Sequence, residues 1–260
     1  MPISPDARSL AVFCDFENVA LGVREAKYAK FDIEKVLERL LLKGTIVVKK
    51  AYCDWDRYKE FKPTMHAAAF ELIEIPHLRQ SGKNSADIRM VVDALDLCYT
   101  KSHVDTFVIV SGDSDFSPLV SKLRENAKTV IGVGVKNSSS DLLIANCDEF
   151  IYYDDLVREE EQKRRAAKKR QETAPAGSDK QQEAFDLVME TLNALIAERG
   201  EGERIWGSMI KQALKRRKPG FNESYYGYRA FSDLLEEAEK KGLVKLEPDE
   251  KSGGYIVRPA

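Results

Sequence analysis

Two textures alternate along the first 156 residues. Short, continuous apolar runs rich in β-branched residues are separated by stretches where apolar residues recur every three or four positions. The runs at 10–15, 45–52, 72–76, 106–110, 129–135 and 150–152 predict buried strands. The periodic stretches predict helices. One follows Asp32, a capping residue, with Ile33, Val36, Leu37, Leu40 and Leu41 on one face, and ends at Gly44. Another covers 55–70, where Pro63 must kink or divide it. Further helices are expected at 86–99, after the turn that begins at Ser111, and near 139–146. Residues 16–30 look less regular. Strands alternating with helices at this spacing imply an α/β fold, a mostly parallel sheet with helices on both faces.

The pattern changes after residue 156. Residues 158–170 are charged on all sides, which predicts a solvated helical extension. Thr173-Ala174-Pro175-Ala176-Gly177-Ser178 reads as a flexible linker. Beyond it, helices are expected at 181–199, 208–217 and 228–241. Short strands at 244–247 and 255–258 then form a two-stranded wing, and helices followed by a wing suggest a small winged-helix module. The expected domains are therefore 1–156, an extension and linker at 157–179, and 180–260.

Composition narrows the class. The chain has 260 residues, a formal net charge of −2 and 43% hydrophobic residues. No apolar run approaches the roughly 18 residues of a membrane span, so a soluble protein is expected, with no membrane partner. The apolar run near the N-terminus is short and closes on an acid, so it reads as a strand rather than a signal peptide. Cys14, Cys53, Cys98 and Cys147 are widely spaced and form no CxxC pair; buried free thiols in a reducing cytoplasm are the expectation. No GxxxxGK[ST] loop occurs, and Gly132-Val133-Gly134 falls inside an expected strand, which disfavours ATP or NAD. Charge is weakly asymmetric, about −4 over residues 1–156 and about +2 over the rest.

Candidate chemistry centres on Phe107-Val108-Ile109-Val110-Ser111-Gly112-Asp113-Ser114-Asp115-Phe116, an apolar strand that ends in a doubly acidic turn before a helix with Pro118 in its first turn. Asp15 closes the first strand in the same way. Ligands of open α/β sheets sit beyond the carboxyl ends of the strands, where the strand order reverses. Were strands one and four neighbours there, Asp15, Asp113 and Asp115 would share a crevice. Asp87, in the first turn of the next helix back, adds a fourth acid. That helix should bury Ile88, Val91, Val92 and Leu95, with Asp87 above Val91 on the flank. Asp93 shares a face with Arg89 and Asp96, which suggests a solvated ion pair. Asn18 either caps a following helix or orients a water or phosphate, and Ser111 and Ser114 either satisfy the turn or hold a water. Acids without a histidine suit hard, oxygen-loving ions, Mg²⁺ or Mn²⁺. Such ions serve phosphodiester hydrolysis. His66, His77 and His103 stand far from these turns in sequence and read as structural or surface residues.

The set Cys14-Asp15-Phe16-Glu17-Asn18, Lys83-Asn84-Ser85-Ala86-Asp87, Ser111–Phe116 and Asp141-Leu142-Leu143 resembles the NYN domain family, relatives of PIN-domain ribonucleases, over about residues 8–155. The resemblance implies a PIN-like α/β/α fold and metal-dependent endoribonuclease activity, with in-line attack of water leaving a 5′-phosphate and a 3′-hydroxyl. Carried over, Asp15, Asp87, Asp113 and Asp115 look like the metal-binding acids and Asn18 like the accompanying polar residue. Residues 180–259 resemble an OST-HTH (LOTUS) domain through 221–235, which implies an RNA-binding or protein-docking module. Lys215, Arg216, Arg217 and Lys218, with Tyr225 and Tyr226 close behind, suit phosphate contact and base stacking; alternatively Tyr228 and Phe231 are core and the cations complement a helix end. Arg79, Lys83 or Arg89 would position the RNA backbone near the acids. The leading expectation is a nuclease with RNA as its partner. The alternatives are a non-catalytic RNA-binding regulator or a scaffold that docks a protein through its C-terminal module.

Overall fold

Residues 10–14 and 107–110 are apolar at every position, and such strands are stable only where both faces of a sheet are covered. The computed structural model, which describes residues 8–75, 85–171, 180–200, 202–249 and 254–260, places both at the centre of one sheet. β1 (Arg8–Asp15), β2 (Gly44–Cys53), β3 (Glu71–Glu74), β4 (Thr106–Val110), β5 (Thr129–Gly134) and β6 (Glu149–Tyr152) form six strands in the order β3-β2-β1-β4-β5-β6. All neighbours pair in parallel, so the chain winds outward from β1 to one edge and from β4 to the other.

The period-two alternation of β1 divides the core. Leu10, Val12 and Cys14 face a layer with α1 (Phe16–Glu25), α2 (Ile33–Lys43) and α3 (Lys62–Ala67). Ala11 and Phe13 face a layer with α4 (Ser85–Thr100), α5 (Ser117–Glu125) and α6 (Asp141–Asn146). In β4, Val108 and Val110 go to the first layer, and Phe107 and Ile109 to the second. By that parity Asp15 and Ser111, each the next odd position, lean toward the layer that holds α4 and α5.

Several expectations are corrected. Residues 16–25, expected to be irregular, form α1, because Asp15 caps it and Phe16, Val19 and Val23 supply a buried stripe. Pro63 does not kink a long helix at 55–70; it lies in the first turn of the short α3, where a missing N–H costs nothing. On α4 the buried positions are Met90, Ala94 and Cys98, whereas Ile88 and Val92 are exposed. The helix is rotated from the expected register because its partners are the inward residues of β1 and β4, which the periodicity of the helix alone does not identify. Asp32 caps α2 and Gly44 ends it, as expected.

The charged extension is the helix α7 (Tyr153–Gln171), and its beginning is held rather than solvated. The Tyr153 hydroxyl accepts from the Asp32 N–H at 2.9 Å, and Glu159 and Glu160 pair with Arg39 and Lys35 of α2. The expected linker at 173–178 lies outside the described residues.

The chain divides into two compact units, Met1–Lys168 and Lys169–Ala260. In the second, α8 (Lys180–Arg199), α9 (Gly207–Arg217) and α10 (Phe231–Lys240) enclose Phe185, Val188, Leu192, Ile210, Leu214, Leu234 and Leu235. The antiparallel pair β7 (Val244–Pro248) and β8 (Tyr255–Pro259) follows. α10 begins at Phe231 instead of residue 228. Gly227, with φ of 93°, ends a 3-10 turn at Glu223–Tyr226, and Asp233 accepts the Ala230 N–H at 3.1 Å to start the helix anew. No helix among the described residues is long and apolar enough to cross a membrane.

Phe16 packs against four aromatic rings, Trp55 at 5.0 Å, Phe61 at 4.9 Å, Tyr58 at 5.6 Å and Phe31 at 5.9 Å between centroids, and it fixes α1 at the end of β1. Phe16→Ala is expected to lower unfolding free energy by about 3–5 kcal/mol, measured by urea denaturation.

Candidate active site

Parallel pairing of β1 with β4 sets Cys14 opposite Val110, so the ladder between these two strands ends there and delivers Asp15 and Ser111 side by side. This is the place where the strand order reverses, since β1 leads on to β2 and β4 to β5. Asp15 is 7% exposed and accepts the Ser111 hydroxyl on Oδ2 at 3.0 Å and the Asn18 N–H on Oδ1 at 3.4 Å. Ser111 Oγ in turn accepts the Asp113 N–H at 3.2 Å, and Asp113 Oδ1 accepts the Asp115 N–H at 2.9 Å. A buried carboxylate, a serine and two acids of a tight turn thus form one chain of hydrogen bonds.

Asn18 does what its position in α1 allows. Its Oδ1 accepts the Gly112 N–H at 2.9 Å, which fixes the amide orientation and leaves Nδ2 as the group free to donate. Gly112 is wedged from the other side. A Cβ there would meet the Ser138 carbonyl oxygen at 2.2 Å, and the Gly112 carbonyl accepts the Ser140 N–H at 2.9 Å. The segment 136–140 after β5 therefore braces the acidic turn through main-chain groups.

The electrostatics follow from this burial. Asp15 is pushed up to about 7, chiefly by desolvation and then by the charge of Asp87; the hydrogen bonds from Ser111 and Asn18 oppose the rise. Asp87, half-buried in the first turn of α4, is pushed up to about 6 by desolvation and by the charges of Asp113, Asp115 and Glu17. Among the described residues no cation is a leading cause of either shift. Glu17 is itself paired with Arg57 at 3.1 Å. Among the described residues no three Asp, Glu, His or Cys side chains converge closely enough to hold an ion between them. The arrangement is a rim of four acids rather than a closed cage. An all-oxygen rim of mutually repelling carboxylates fits Mg²⁺ or Mn²⁺, because Mg²⁺ keeps several waters and takes only one or two protein carboxylates together with substrate phosphate.

Of the remaining site expectations, Arg89 points away from the acids. It pairs with Asp93 at 3.0 Å, and Asp93 also receives the Tyr52 hydroxyl at 2.9 Å and Lys50 at 3.4 Å. Asp93 is therefore a largely buried hub and not the solvated pair expected from spacing; Tyr52 and Lys50 come from β2, far away in sequence. Lys83, Arg79 and His77 lie outside the described residues. In the second unit the basic cluster splits. Lys215 and Lys218 are exposed, but Arg217 is tied to Glu190 at 2.7 Å and Thr191 at 3.4 Å, and Arg216 is half-buried, its pKa lowered by burial and by Arg199. Tyr225 is 61% exposed with the Lys180 ammonium 4.5 Å from its ring centre. Tyr226 stacks on Phe221, while Tyr228 and Phe231 are core residues. The four cysteines are free, three of them buried. Sequence reasoning did not foresee the brace at 136–140, although the run Ser138-Ser139-Ser140, small enough to lie against a glycine turn, was a usable signal.

Residues 9–154 match the family model described as the NYN domain. An uncharacterised protein of Methanocaldococcus jannaschii is 28% identical over 117 residues, 45% of this chain and 45% of that protein. Meiosis regulator and mRNA stability factor 1 of Xenopus tropicalis is 26% identical over 148 residues, 57% of this chain and 9% of that protein. The chain thus matches less than half the length of either relative. Among solved structures, a protein of unknown function from Vibrio parahaemolyticus has a TM-score of 0.52 at 28% identity, covering 60% of this chain and 98% of that one.

Because the native Asp15 carboxyl holds its proton up to about 7 against 3.8 for the free group, its contribution to stability is present at low pH and is lost as pH rises through that interval. With chelator present, the stability of Asp15→Asn relative to the parent is expected to rise by about 2 kcal/mol between pH 5.5 and 8, read from paired denaturation curves.

Proposed function

The chain belongs to the NYN domain family of the PIN-like nuclease superfamily, and we propose that it is a divalent-metal-dependent endoribonuclease whose second unit, an OST-HTH-like module, holds the RNA. The observation that supports this most directly is the gathering of Asp15, Asp87, Asp113 and Asp115 along one rim, with each of the two more buried acids raised first by burial and then by its neighbours' charge. Bound there, Mg²⁺ or Mn²⁺ would polarise the scissile phosphate and offset the charge that develops on it.

The chain's own residues supply the rest. Asp15, held by Ser111 and Asn18, and Asp113, held by Ser111 and by the amide of Asp115, are the carboxylates that would hold the ion. Asn18 Nδ2 is directed to a phosphate oxygen. Asp87, less enclosed and pushed up to about 6, is suited to accept the proton of the attacking water. Hydrolysis forms a bond from that water oxygen to phosphorus and breaks the bond to the 3′-oxygen, which takes a proton from a solvent water as it leaves, while Asp87 returns its proton to solvent; the products are a 5′-phosphate and a 3′-hydroxyl. Beside Asp115 an open depression lined by Ser114, Ser117, Pro118, Ser121 and Leu142 gives the strand a mixed polar and apolar path. Lys215, Lys218 and Tyr225 are the exposed groups of the second unit suited to backbone contact and base stacking. The relative named as an mRNA stability factor supports RNA as the substrate class.

With labelled single-stranded RNA and Mn²⁺, cleavage is expected to fall by roughly 10²-fold or more in Asp113→Asn and to cease with chelator. Cleavage that survives both would sink the proposal. Mn²⁺ is expected to raise the melting temperature more at pH 7.5 than at pH 5.5, since protons compete for Asp15 and Asp87. Replacing Lys215 and Lys218 together by Ala is expected to reduce the slope of log affinity against log salt by about 1.4 for single-stranded RNA, measured by fluorescence anisotropy.

A further inference from the structure

Among the described residues one apolar strip on α4 is left largely uncovered, although Leu95 also packs on the core beneath it and the Tyr99 hydroxyl accepts from the Asn126 side chain at 3.4 Å. Met90, Ala94 and Cys98 face the sheet, whereas Ile88, Val92 and Tyr99 are 62%, 55% and 65% exposed. Leu95, half-buried, lies between them. Single exposed apolar residues are ordinary, but several aligned on one helix face mark an interaction surface. The steps from 88 to 92, 95 and 99 are four, three and four residues, the spacing that keeps one stripe against a neighbouring helix.

The charges beside the strip indicate what the neighbour is. Arg89 and Asp96 lie along the same edge of the strip, one heptad apart. Arg89 shares Asp93 with Lys50 and Tyr52, and Asp96 has no ion-pair partner among the described residues. A second α4 laid antiparallel, crossing between Val92 and Leu95, sets Ile88 on Tyr99, Val92 on Leu95 and Arg89 opposite Asp96. Each contact then occurs twice about a two-fold axis, as an isologous interface requires. The same residues serve both sides, and the opposite charges meet only in this sense.

We propose that α4 is the seam of a homodimer, with a second copy of this chain laying its own α4 antiparallel along Ile88, Val92, Leu95 and Tyr99. The seam begins one residue after Asp87 and includes none of the acids, so each protomer keeps its own site. The proposal does not depend on the nuclease reading. A seam of four positions on a 16-residue helix lies at the small end of stable interfaces, which implies a reversible dimer with Kd on the order of 10 μM.

The test is sedimentation velocity of the full chain from about 1 to 200 μM, a range that brackets this affinity. The expected result is a monomer–dimer equilibrium whose Kd rises at least about tenfold in Val92→Glu, an exposed position whose replacement leaves the circular dichroism spectrum unchanged. Asp96→Arg alone should weaken the dimer several-fold, and Asp96→Arg combined with Arg89→Glu should restore most of it. A chain that stays monomeric throughout overturns the proposal and gives the strip to another occupant. A dimer indifferent to Val92→Glu, or a double charge swap no better than Asp96→Arg alone, overturns it equally.

Discussion

The hydrogen bond from Ser111 to the buried carboxylate of Asp15 ties together everything that makes the rim of the sheet unusual. It spans 96 residues of chain, yet both partners are simply the first positions past the paired ends of β1 and β4. Remove the parallel register of those two strands and Asp15 loses its donor and Asn18 loses Gly112. The acids are gathered by backbone pairing, and their side chains then stay there against their own repulsion. Asp15 is pushed up to about 7 chiefly because the apolar packing of β1 and β4 takes it out of water, and the charge of Asp87 adds to the rise.

How much of this the sequence disclosed depends on how local the cause was. Strands that are apolar throughout, helix starts at Asp32 and Pro118, and the acids at strand ends all carry their signal within a few residues, and these were legible. The rotation of α4 was not, because Val91 and Val92 are interchangeable until the facing residues of β1 and β4 are known. Asp93 was misread for a related reason. Its spacing from Arg89 suggested a surface pair, and that pair forms, but its two further partners, Tyr52 and Lys50, sit on a strand some forty residues earlier and draw it out of solvent. The α1 helix was missed because its best signal, a capping Asp15, also ends a strand, and one residue serving two elements is hard to assign twice.

The second unit offers a parallel case. Four consecutive cations look like one patch when read along the chain, but consecutive helical residues point in directions about 100° apart. Arg217 therefore turns inward to Glu190 and Thr191 while Lys215 and Lys218 stay outside. A different cause separates Tyr225, open to solvent, from Tyr228, packed on Phe185: the left-handed Gly227 turns the chain between them. A run of like residues is a weak guide to a surface; the helical angle between them decides which members reach it.

The wedge at Gly112 carries a consequence for how this chain tolerates change. What presses on it is the carbonyl oxygen of residue 138, and what bonds to its own carbonyl is the N–H of residue 140. Both belong to the peptide chain and persist whatever side chains those positions carry. Position 112 therefore admits a single amino acid. Positions 138 and 140 are constrained for other reasons: the Ser140 hydroxyl accepts the Leu142 N–H that starts α6, and the Ser138 side chain lies so close to Gly22 that a methyl group there would meet its Oγ at 2.3 Å. One serine run thus presses on two glycines, and a change that enlarges either glycine is expected to displace the same segment.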